Sequence, residues 1–135
     1  MGEQAGRRRS LEELEGERWG DPPVDATRLI ATAHRLRRRP VADLTIADLR
    51  LLIGQQIGVT FLVPVALEIL KRDPLADAGM YEGDLLRAVL RIDRSFWETH
   101  AEHEGTVRTI IDSIAEPPGP VGEQIARFRG RRSAS

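Results

Sequence analysis

The sequence predicts an all-α fold: a single compact bundle of about six short helices, with an irregular N-terminal segment and a disordered C-terminal tail. Three observations carry this. Apolar residues recur at helical spacing in one segment after another, no run alternates with period two for long enough to require a strand, and no internal repeat is visible. At 135 residues the chain is one ordinary domain, long enough to bury a core without staples. The expected divisions are a disordered tail over 1–9, one helical domain over 10–129 and a second disordered tail over 130–135.

The elements follow in order. Ser10-Leu11-Glu12-Glu13 has the spacing of a capping box and opens a short helix that Gly16 stops. Trp19-Gly20-Asp21-Pro22-Pro23 must be irregular, because paired prolines and a glycine oppose both helix and strand; Trp19 is expected to pin this segment to the core. From about Asp25 to Arg38, Leu29, Ile30, Ala33 and Leu36 mark one helix face, and Pro40 ends the run. Thr45 can cap a helix carrying Ile46, Leu49, Leu52 and Ile53. A helix apolar on almost every side then runs to about Arg72, with Pro64 expected in its first turn; such a pattern marks a central, buried helix. Asp73-Pro74 breaks it. Leu85, Leu86, Val89 and Leu90 form the next apolar face, Asp93 starts a short segment bearing Phe96 and Trp97, and Val107, Ile110, Ile111 and Ile114 follow at offsets 0, 3, 4 and 7. After Pro117-Pro118-Gly119-Pro120, Val121, Ile125 and Phe128 suit one last weak helix.

Leu51 to Leu67 is the longest uncharged stretch, and it is not a membrane span. A transmembrane helix needs about 20 predominantly apolar residues, whereas this run is interrupted by Gly54, Gln55, Gln56 and Gly58. It reads instead as a tight junction between two core helices, with the glycines permitting the bend. Buried amides need partners, so Gln55, Gln56 or both are expected to bond backbone groups freed there.

Composition narrows the function. The chain has no cysteine, which excludes disulfides and argues against a compact zinc site. Residues 46–116 hold seven bases against twelve acids, while the basic excess lies at the two ends. An acidic body favours a basic partner over direct nucleic-acid binding. Nineteen of the twenty bases are Arg, a bias that codon usage explains without any functional reading. Arg7-Arg8-Arg9 resembles the start of a twin-arginine export signal, but the acidic Leu11–Glu15 stands where an apolar region would follow. The protein is expected to stay in the cytoplasm.

No catalytic constellation emerges. His100 and His103 lie three apart beside Glu104, without the i, i+4 spacing of a zinc helix or a third clustered ligand, and read as two exposed histidines on a polar turn. His34 reads as a partly buried surface residue rather than a base. Glu82 and Asp84 sit before a helix, where carboxylates cap amides and complement the dipole. Gly54-Gln55-Gln56-Ile57-Gly58 lacks the Lys and Ser or Thr of a phosphate-binding loop. Arg37 to Arg39 offer phosphate contacts but equally suit a helix C-terminus, and no aromatics are interleaved with them. Neither an enzyme nor a cofactor is expected, and nucleic acid and membrane are not the expected partners. The residues alone leave a small helical interaction module or regulator as an open reading.

A pattern of short motifs goes further. Leu11-Glu12-Glu13-Leu14-Glu15-Gly16 and Trp19-Gly20-x-Pro22-Pro23 open it; Leu36-Arg37-x-x-Pro40, Leu44-Thr45-x-x-Asp48-Leu49-Arg50 and Ile53-Gly54-Gln55-x-x-Gly58 continue it. Leu62-x-Pro64-x-Ala66-Leu67-Glu68, Asp73-Pro74-Leu75, Tyr81-x-Gly83-Asp84-Leu85-Leu86 and Phe96-Trp97 complete it. Over roughly residues 11–97 the chain resembles the immunity proteins of bacterial contact-dependent growth inhibition (CDI) systems, with Trp19, Gly54, Gln55, Gly58, Pro64, Gly83 and Asp84 as its structural signature. The resemblance implies a cytoplasmic, non-enzymatic protein that binds and neutralises the C-terminal domain of a cognate toxin. Many such toxins are nucleases and hence basic, which makes Asp77, Glu82, Asp84, Glu98, Glu102, Glu104 and Asp112 the candidate toxin-binding residues.

Overall fold

Three hydroxyl side chains set where the first helices begin. Ser10 accepts from the Glu13 amide while Glu13 reaches back to the Ser10 amide, closing a capping box that starts α1 (Leu11–Glu15). Thr27 caps α2 (Arg28–Arg37), and Thr45 forms a second capping box with Asp48 at the head of α3 (Ile46–Gly54). The computed structural model describes residues 7–134, with side chains through Gly130. The remaining helices are α4 (Val59–Arg72), α5 (Asp84–Leu90), α6 (Arg94–Thr99), α7 (Ala101–Asp112) and α8 (Gly119–Ala134), with a single 3₁₀ turn at Val41–Asp43. The fold is all-α, with eight α-helices among the described residues rather than about six, and the only β pairing there is an isolated Ser10–Pro40 bridge.

The centre of the bundle is not the long α4 but the seven-residue α5, in which every residue except Arg87 is buried. It packs against α3, α4 and α8. The reason lies in its sequence: Leu85, Leu86, Ala88, Val89 and Leu90 leave no polar stripe wide enough to face water. Helix α4 lies beside it, burying Leu62, Val63, Ala66, Leu67 and Leu70 against α3, α5 and α7 while Glu68, Lys71 and Arg72 face out. Pro64 falls in the second turn of α4 and not its first, so the Thr60 carbonyl loses its amide partner; Thr60 is exposed, where water can serve it.

The glycine–glutamine junction differs from expectation in how it bends. Gly54 is still helical; Gln56 (φ 57°) and Gly58 (φ 63°) take the left-handed conformation. Gly58 has a second reason to lack a side chain, since an added Cβ would stand 2.7 Å from Leu11 Cδ1. Amides of Gln55, Gln56 and Ile57 turn back onto carbonyls of Leu51 to Ile53, so the junction closes on itself. The Gln56 side chain does bond a backbone amide, but that of Asp93, 37 residues on, at 3.1 Å. Gln56 thereby ties the junction to the start of α6.

Other expectations shift as well. Leu29 and Ile30 are 39% and 45% exposed, because α2 meets the body through its C-terminal half, Ala33, Leu36 and Arg37. Trp19 anchors its segment on side chains rather than in the core: its ring lies edge-on to His34 and 4.2 Å from the Arg37 guanidinium. The final helix is not weak. Val121, Gln124, Ile125 and Phe128 are buried at offsets 0, 3, 4 and 7, and Phe128 meets Trp97 edge-on with centroids 5.8 Å apart. Helix α8 continues past Gly130 to Ala134, through most of the expected C-terminal tail; Ser135 lies outside the described residues. Of the expected tail over 1–9, residues 1–6 lie outside the described residues, whereas Arg7 pairs with Glu68 and the Arg9 carbonyl accepts from the Val41 amide.

Candidate functional site

The seven candidate acids do not form one patch. Glu82 lines a small cleft with Asp73, Ser113 and Glu116, at the C-terminal ends of α4 and α7. Asp77 is exposed in the loop between α4 and α5, where its Oδ1 accepts from the Gly79 amide at 2.7 Å. Glu98 is exposed on α6 and pairs with Arg94, while Glu102 and Glu104 lie in the first turn of α7. Asp112 is exposed at the far end of α7, 2.6 Å from Arg129 of α8. At about 1.5 Å per residue, Glu102 and Asp112 are roughly 15 Å apart along the axis.

Asp84 stands apart because it is 3% exposed. Its Oδ1 accepts from the Ala78 amide at 2.6 Å, and its Oδ2 accepts from the Met80 and Tyr81 amides at 3.0 and 3.5 Å. A carboxylate spent on three backbone donors holds a loop, and its burial sets it apart from the exposed acids. Gly83 before it has φ 89°, and a Cβ there would meet Val121 Cγ2 at 2.6 Å. Both residues of the Gly83-Asp84 pair therefore serve the scaffold.

The basic run is spent on partners within the chain, and its first member is also buried. Arg37 is 1% exposed, 2.6 Å from Glu15; Arg38 reaches Asp21 at 3.2 Å and Arg39 reaches Asp48 at 3.5 Å. His34 Nδ1 lies 3.1 Å from the Gly20 carbonyl, half-buried as expected. His100 and His103 are half-buried rather than exposed, because Phe96 stacks on His100 at 4.1 Å and His103 stacks behind it at 5.9 Å. Among the described residues, no group of three or more His, Cys, Asp or Glu could hold a metal ion.

Sequence reasoning missed a cleft of about 320 Å³ between α3 and α5, walled by Arg50, Gln55, Arg87 and Arg91, with Leu29, Leu51, Met80 and Tyr81 beside them. Asp84 lies at its base, with Oδ2 3.8 Å from Arg50 Nε, beyond hydrogen-bonding distance. The Nε atoms of Arg50 and Arg87 are buried without a hydrogen-bond partner among the described residues. A signal was present: Arg87 and Arg91 are four apart, on one face of α5 and its C-cap, where Leu85, Leu86, Ala88, Val89 and Leu90 are apolar.

A family model for CDI immunity proteins matches residues 13–107, which run from α1 into α7 and take in every helix that walls the cleft. No curated protein matches the chain, and no solved structure matches it. With most of its length matched, and with an all-α fold built around the signature glycines, the chain belongs to the CDI immunity protein family.

Proposed function

We propose that the protein binds and neutralises the C-terminal domain of a cognate CDI toxin, protecting the cell that makes it. The observation that carries this is the family match over residues 13–107. Protection is stoichiometric on this reading: the immunity protein covers the toxin and performs no chemistry on it. It acts in the cytoplasm, where an incoming toxin domain would meet its target; among the described residues, no helix is long and apolar enough to cross a membrane.

The twelve acids against seven bases in residues 46–116 favour a basic toxin domain, such as a nuclease. On this reading Asp77, Glu82, Glu98, Glu102, Glu104 and Asp112 would meet it; they are spread over the α4–α5 loop, α6 and the two ends of α7.

Co-expression with the toxin domain encoded beside the gene tests the reading. Cells carrying both should grow, cells carrying the toxin alone should not, and the two proteins should co-purify at one to one. Growth arrest in the presence of the immunity protein, with no complex recovered, would overturn it. Reversing the exposed acids should slow association and flatten its salt dependence; unchanged rates would place the contact surface elsewhere.

A further inference from the structure

We infer that the cleft between α3 and α5 is the part of the toxin-binding surface that receives a carboxylate side chain from the partner. This rests on the toxin-binding reading and names the chemistry that one region of the surface would take.

Charge carries the first step. Three arginines face one aspartate in the cleft, within a stretch of chain that is otherwise acidic. Asp84 has already spent its oxygens on the amides of Ala78, Met80 and Tyr81, so it offsets the arginines only in part. Among the described residues, neither Arg87 nor Arg91 lies within ion-pair distance of a carboxylate, unlike Arg37, Arg38 and Arg39, which each have one. The buried, unbonded Nε of Arg87 adds a donor without an acceptor. A half-buried guanidinium with no carboxylate in reach gains from an incoming anion.

Chemistry narrows the anion. A guanidinium presents a planar fork that a carboxylate matches with two parallel hydrogen bonds. Two exposed apolar side chains share the cleft with the arginines: Met80 is 67% exposed and Leu29 39% exposed. Exposed Met and Leu beside Arg and Tyr resemble the centre of a protein interface. They are poorly suited to a nucleic-acid backbone, which would set successive phosphates against Met80, Leu29 and the acidic body beyond the cleft.

The test is binding of a catalytically inactive toxin domain, taken from the gene next to this one, to the full-length immunity protein and to Arg87→Glu, Arg91→Glu and Met80→Asp variants. Arg91 is exposed and makes no ion pair among the described residues, so Arg91→Glu should keep the wild-type circular dichroism and thermal midpoint. Affinity should fall by about 30-fold or more for each Arg variant. Reversing one acidic residue of the toxin domain to Arg should restore binding to Arg91→Glu. Wild-type affinity in both Arg variants would overturn the inference while leaving the immunity reading intact. Failure of the unmodified protein to bind would sink the immunity reading itself, and this inference with it. If a short RNA shifts with the wild type but not with Arg91→Glu, while toxin binding stays equal, the cleft takes phosphate and the carboxylate assignment is wrong.

Discussion

Removing Glu15 should destabilise the protein more than removing Arg37, although the two form a single pair. The asymmetry comes from burial. The Arg37 side chain is 1% exposed and that of Glu15 is 29% exposed, with 2.6 Å between Nη2 and Oε1. The guanidinium also donates to the Glu17 carbonyl at 3.1 Å and lies 4.2 Å from the Trp19 ring, while its Nε and Nη1 have no hydrogen-bond partner among the described residues. Glu15→Ala deletes the attraction but leaves a desolvated cation held by one carbonyl and one ring. Stranding a buried charge costs about 3–5 kcal/mol; partial solvent screening and relief of a carboxylate at the C-terminus of α1 reduce this to about 2–3 kcal/mol. Arg37→Met removes the attraction and the desolvation penalty together, keeps an apolar stem in the same space, and leaves Glu15 able to turn to water. Its main loss is the cation–π contact, so about 1 kcal/mol is expected. Urea unfolding followed by far-ultraviolet circular dichroism measures both, free of the Trp19 signal that either change would disturb. In a domain of this size about 1 kcal/mol shifts the thermal midpoint by roughly 4 °C, so the variants should melt some 6 °C apart. The double variant should resemble Arg37→Met alone. If Arg37→Met proves at least as damaging as Glu15→Ala, the stranded-charge argument is wrong and Arg37 acts chiefly through packing.

Gly58→Ala should cost about 2–4 kcal/mol in the same assay, since it combines a left-handed backbone with a Cβ 2.7 Å from the fully buried Leu11. Gly54→Ala, helical and with no atom within 4 Å of the added Cβ, should instead gain about 0.5–1 kcal/mol; a loss there would show that the junction needs both glycines. Asp84→Ala removes the acceptor of three backbone amides and should cost about 2–4 kcal/mol, with hydrogen exchange at Ala78 and Met80 accelerating before the rest of the core. Ending the chain after Glu116 should yield an unfolded or aggregating product, seen as loss of cooperative melting, because Trp97 and α5 would lose their cover from α8.

What could be read from the sequence, and what could not, divides along one physical line. Local rules worked where local atoms decide. The Ser10 and Thr45 capping boxes need only residues three apart, and the stops at Gly16 and Asp73 need only backbone preference. Periodicity found most helix faces, though it carried Ile114 onto α7, which ends at Asp112, and it could not say which faces would be covered. Leu29 and Ile30 look like core in sequence and stand half in water, because α2 buries its C-terminal half, Ala33, Leu36 and Arg37, instead. Arg37 looks like surface and is buried, because Glu15, Glu17 and Trp19 fold over it from about twenty residues away. The same blindness to distant partners affected the candidate site. Counting charge along the chain put Asp84 among the exposed acids, whereas three amides behind it draw it inside. It also passed over Arg50, Arg87 and Arg91, which only the packing of α3 against α5 brings together.

The last helix bears on how far the family likeness reaches into the physics. The family match ends at residue 107, and α8 begins at Gly119. Yet the glycine of Tyr81-x-Gly83-Asp84 owes its missing side chain to Val121 of α8, and to Leu75 at 3.2 Å. Phe96-Trp97, the motif that closes the pattern, rests one of its rings on Phe128 of the same helix. Two elements inside the matched region thus take their constraint from a helix outside it. Such a helix has to present Val121, Gln124, Ile125 and Phe128 at the right spacing, while its outward residues carry no packing constraint. Its outward face, with Glu123, Arg127 and Arg129 exposed, adjoins the acidic far end of α7 through the Arg129–Asp112 pair. Scaffold and exposed surface therefore meet on α8, where substitutions that leave the buried spacing intact can alter surface charge beside Asp112 without disturbing the central helix α5.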